Sequence, residues 1–205
     1  AFFYATQLAI VRQAAKLVVV LRAGVACDTN PNITIKWVSM SREKLVDFAC
    51  RIYSCPGIES YCRNLQDDVF ANINLVLWLG WLQDQAIYLE KQALFEAEEL
   101  IGEISGEVVA LLRHVRQRIK QIGHFTKVQE QLIGKHILQA ELSVEKILLE
   151  RLQDLTGRLA RIQDPACEPL LLRDYLAHLQ MSNPAAGEIK FFDLLEQELL
   201  LAPAE

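Results

Sequence analysis

A chain of 205 residues with 52% apolar and 23% charged residues can bury one substantial core and does not have the composition of a disordered chain. Its net charge of −5 lacks the basic footprint of a protein dedicated to nucleic acid, so nucleic-acid binding is not expected. Five cysteines, at 27, 50, 55, 62 and 167, form no CxxC pair, and the four histidines are scattered. This usage points to reduced thiols and a cytoplasmic location rather than a disulfide framework, and no metal centre or cofactor is expected.

Phe2 to Ala26 is apolar but is interrupted by Arg12, Gln13, Lys16 and Arg22, so it falls short of the ~20 apolar residues that span a bilayer. Gly24-Val25-Ala26 before Cys27 resembles an export cleavage site, but charges lie inside the short apolar stretch, against the pattern of a leader. Met40-Ser41-Arg42-Glu43-Lys44 reads as an ordinary start. The expected division is therefore an extension over 1–39, a helical core domain over 40–163 and a helical appendage over 164–205. Within the extension only Ile33–Val38 hints at strand alternation.

Ser41 can cap a first helix whose face is Leu45, Phe48, Ala49, Ile52 and Tyr53. Pro56-Gly57 stops it, because proline disfavours helix at the residue before it and glycine takes the left-handed turn. Ile58, Tyr61, Cys62 and Leu65 make a second, short face. Asn72 or Asn74 is a natural cap for a third helix, Leu75–Gln85, which is apolar nearly all round and so is central or faces a partner. A fourth helix is expected over Tyr88–Ile104 and is broken at Ser105-Gly106. A fifth, Val108–Ile122, turns Val108, Leu111, Leu112, Val115, Ile119 and Ile122 to the core and stops at Gly123. Lys127 to Gln163 carries an apolar stripe through one long helix, or two joined near Ser143. Asp164-Pro165 ends it, and short helices follow over Leu170–Gln180 and Glu188–Leu201. The fold class is all-α, a bundle of six to eight helices with one long helix near 127–163.

The segment FACRIYSCPGIESYCRNLQDD (48–68), with ANINLVLWLGWL (71–82), resembles an uncharacterised family of short proteobacterial proteins. Phe48, Ala49, Tyr53, Pro56, Gly57, Ile58, Cys62, Leu65, Gln66, Asp67, Asn72, Ile73, Asn74, Leu75, Leu77, Trp78 and Leu82 carry the likeness. Asn72 stands where that family usually has Asp. The resemblance implies a small, cytoplasmic, helical protein and brings no activity.

Three groups are candidates for function. Gln66, Asp67, Asn72 and Asn74 gather amides and a carboxylate at a helix start, where a polar ligand could sit; helix capping explains the same residues without one. Trp78 and Trp81, three apart on the apolar helix, are either core or anchors for a protein partner. Arg113, Arg116 and Lys120 share one face of the fifth helix, either solvated or offered to an acidic partner. Cys62 shares the apolar face of Ile58 and Leu65, which reads as a buried thiol rather than a nucleophile. No motif of a known enzyme class is present. The expected function is a protein–protein interaction or adaptor module, with the long helix as a homodimer seam among its options. Ligand binding or enzymatic work at the Gln/Asp/Asn cluster, and nucleic-acid binding at 113–120, are the alternatives.

Overall fold

The computed structural model describes residues 43–162 and 168–201. The extension over 1–39, the strand hint at 33–38, the Ser41 cap and the Asp164-Pro165 stop lie outside these residues. The described chain forms α1 (Leu45–Tyr53), α2 (Ile58–Val69), α3 (Ile73–Asp84), α4 (Gln92–Glu103), α5 (Ala110–Ile122), α6 (Lys127–Arg158), α7 (Leu172–His178) and α8 (Pro184–Leu201). A π-helical segment, Ile104–Val109, joins α4 to α5 without a break, so these make seven separate helices. No strand occurs among the described residues; Leu89 and Arg161 form an isolated antiparallel bridge. The all-α bundle and its long helix are therefore as the periodicity implies.

Local chemistry explains most of the ends. Gly57 takes φ 85° and begins α2, and Gly123 takes φ 69° and closes α5. Thr126 and Gln129 form a reciprocal capping box at the start of α6. Pro184 opens α8, and Asn183 Oδ1 accepts from the Ala186 N–H at 3.1 Å. That cap starts α8 four residues before the expected Glu188.

Other ends are fixed from a distance. The N–H of Leu45 donates to Gln153 Oε1 of α6 at 2.7 Å, and the N–H of Leu172 donates to Gln83 Oε1 of α3 at 2.7 Å. Each glutamine satisfies a free amide at the start of a helix far away in sequence. The bridge at Leu89, with Ile162 N–H to Tyr88 O at 3.0 Å and Leu170 N–H to Leu89 O at 2.7 Å, holds 88–89 extended. α4 therefore starts at Gln92, and α6 stops at Arg158.

Ser105-Gly106 does not break the chain, contrary to expectation. The helix widens into π geometry there and continues. Ser143 likewise leaves α6 whole, its hydroxyl donating to Gln139 O at 2.7 Å.

The core is built around α3, where every residue from Asn74 to Leu82 is buried. Helices α1, α2, the second half of α6, α7 and α8 surround it. Gly80 admits the Phe191 ring of α8 so closely that an added Cβ would lie 2.6 Å from it. Leu172, Tyr175, Leu176 and Phe191 belong to the same buried cluster as Phe48 and Trp78. Each large side chain so buried contributes about 1.5–3 kcal/mol. By contrast α5 and the first half of α6 form a hairpin in which Ile119 and Glu141 are buried and most other side chains are not.

Candidate interaction surface

The polar residues around α2 and α3 do not converge. Gln66 is half-buried and Asp67 exposed on α2, and no hydrogen bond joins either to Asn72 or Asn74. Asn72 is the N-cap of α3, its Oδ1 accepting from the Asn74 N–H at 3.1 Å. Its Nδ2 donates to Ser105 Oγ at 3.0 Å, and its own N–H donates to the Tyr175 hydroxyl at 2.8 Å. One asparagine thus ties the α2–α3 turn to the π segment and to α7. Burial pushes the Tyr175 phenol up to about 12, so it remains neutral at ordinary pH. Asn74 is buried beneath the cap. A small cavity of about 180 Å³, bordered by Glu43, Trp81, Gln153 and Arg161 among others, lies elsewhere. It is smaller than the ~300 Å³ at which ligand pockets usually begin.

The tryptophans are internal. Trp78 is fully buried, and its indole N–H donates to Thr156 Oγ1 at 2.7 Å; that hydroxyl in turn donates to Leu152 O at 2.9 Å. Trp81 is buried, its N–H donating to Glu43 O at 2.8 Å. Both indoles find the partner that a buried N–H requires, and neither ring is presented at the surface. Cys62 is also buried; desolvation pushes its thiol up to about 12, which leaves almost no thiolate at neutral pH.

The basic face of α5 is turned largely inward. Arg116 makes a bidentate pair with Glu141 of α6, at 2.6 and 3.0 Å, and the Glu141 side chain is only 3% exposed. Arg113 Nη2 lies 3.1 Å from Glu145 Oε1. Burial raises the Glu145 carboxyl and Arg113 opposes that shift. Lys120 and Arg118 remain exposed. The signal for these pairs was present in two spacings: bases three apart on α5 and acids four apart on α6, joined by a short turn at Gly123, place each pair across a hairpin.

With Arg113 and Arg116 turned toward α6, the apolar stripe of α5 is outside. Of the face expected to pack inward, only Ile119 is buried; Leu111 is 60% exposed, and Val108, Val115 and Ile122 are exposed as well. On α6, Val128 is 74% and Leu132 57% exposed. Ten of the fifteen large apolar side chains exposed among the described residues lie between Val108 and Ile147. The expected orientation of α5 is corrected: its Arg113/Arg116 side packs on α6, and its Leu111/Val115 side faces solvent. Isolated exposed leucines are ordinary on a protein surface, but a set concentrated on one hairpin is not.

Residues 44–152 match a family model described as a protein of unknown function, DUF2390. No curated protein matches the chain, and no solved structure does. Among the described residues no helix is long and apolar enough to cross a membrane.

Proposed function

We propose, from the premise that this chain belongs to the DUF2390 family of unknown function, that it is a protein–protein interaction module working through the α5–α6 hairpin. The observation that carries this reading is the inversion of the hairpin: Arg116 paired with the buried Glu141 carboxylate between the helices, and Leu111, Val128 and Leu132 outside. A monomer gains nothing from exposing these side chains, whereas burial against a partner returns about 25 cal/mol for each Å² of apolar area covered. The rest of the bundle acts as the scaffold that holds the hairpin straight. The Cys50 and Cys62 thiols are compatible with work in the reducing cytoplasm.

The test is photo-cross-linking in the native cell, with a benzophenone amino acid at Leu132 or Leu111 and, as control, at the exposed Asp68 of α2. The hairpin positions should give a discrete adduct and Asp68 none. Equal or absent adducts at all three positions would end this reading.

A further inference from the structure

We infer that the partner of the hairpin is a second copy of this chain, α5 of one copy packing antiparallel against α5 of the other; this rests on the hairpin reading above. The seam is Glu107, Leu111, Val115, Arg118 and Ile122. Within α5, Leu111, Val115, Arg118 and Ile122 recur at spacings of four, three and four, the interval of a helix that packs lengthwise against another helix. All five residues of the seam are exposed.

The sequence of the seam is self-complementary. A two-fold axis between Leu111 and Val115 sets Leu111 of each copy opposite Val115 of the other, as an isologous interface demands. The same axis brings the Arg118 guanidinium of one copy beside the Glu107 carboxylate of the other, and this happens twice. The basic charge that would otherwise oppose such a pairing is reduced within each copy, because Arg113 and Arg116 are paired with Glu145 and Glu141.

The test is sedimentation of the full chain across a range of concentrations, with circular dichroism to confirm that each variant is folded. The parent chain should sediment as a dimer. Glu107→Arg alone and Arg118→Glu alone should each weaken dimerisation by roughly tenfold or more, since each sets like charges together twice. A chain carrying both changes should dimerise like the parent, and an equimolar mixture of the two single variants should form a heterodimer. Leu111→Ser should weaken the dimer by about thirtyfold or more. A monomer at every concentration, or a dimer indifferent to all these changes, overturns the inference. If the chain is monomeric but Leu132 cross-links to a different protein, the second copy is excluded while the hairpin remains an interaction surface. If the chain is monomeric and neither Leu111 nor Leu132 gives an adduct, both readings fall.

Discussion

The α3 core and the α5–α6 hairpin are written in the same alphabet and folded to opposite ends. In α3 an apolar surround is fully enclosed, and the polar atoms it carries inward, such as the Trp78 indole N–H, find single short bonds. In the hairpin an equally regular apolar stripe is left in solvent, and the interior is fastened by an ionic pair. The difference shows that amphipathic periodicity specifies a face but not what covers it. On α5 the side turned to α6 carries Arg113 and Arg116, and the Leu111/Val115 side faces solvent.

The comparison can be tested from both sides, and the core should give the largest response. Trp78→Ala removes the largest enclosed side chain and the N–H that the Thr156 oxygen accepts, so chemical denaturation should show a loss of about 3–5 kcal/mol. In the hairpin the sensitive residue should be ionic rather than apolar. Arg116→Ala leaves the Glu141 carboxylate without its partner. The expected loss is about 2 kcal/mol, below that of a wholly buried pair because Arg116 is partly exposed. Joint replacement of Arg116 and Glu141 by leucine should recover most of it, again read by denaturation. If Arg116→Ala is silent, the hairpin interior is not held by the pair.

Gly80→Ala probes how tightly the C-terminal helices are joined to α3. Its Cβ has no room beside the Phe191 ring, so a loss of about 1–3 kcal/mol is expected, with Phe191→Leu in the same chain easing it. A full recovery of stability by that second change would locate the strain at this contact; no recovery would place it elsewhere. Asn72→Ala should cost about 1 kcal/mol through the lost cap. Asn72→Asp should be nearly neutral, since the Ser105 hydroxyl can donate to a carboxylate where it now accepts from an amide. The smallest effect on stability should come from Leu132→Ser, within about 0.5 kcal/mol. Were that change as damaging as Trp78→Ala, the hairpin face would be core after all.

Much of the fold was legible from local chemistry. Pro56-Gly57, Gly123 and the near-continuous apolar run of α3 each carry their cause within a few residues, so the helices they bound were readable in order. The candidate sites were less legible. Asn72 was visible as a cap, but its bonds to Ser105 and Tyr175 join residues 33 and 103 positions away. The arginines at 113 and 116 looked like an offered face because their acids sit on another helix. Ser105-Gly106 looked like a stop because a π segment uses the same weak helix formers without ending the helix.

The sequence by itself determined the helical class, the order of the elements and the apolar stripe on each, because these follow from a 3.6-residue repeat and from residues that cannot continue a helix. Only the tertiary structure decided which stripe is enclosed. Gln153 and Gln83 cap distant helices, the π segment joins α4 and α5 into one element, and Glu141 claims Arg116. The glutamine caps and the Arg116 pair depend on contacts between parts of the chain that no local pattern connects, and the pairing of Arg116 with Glu141 leaves Leu111 facing out.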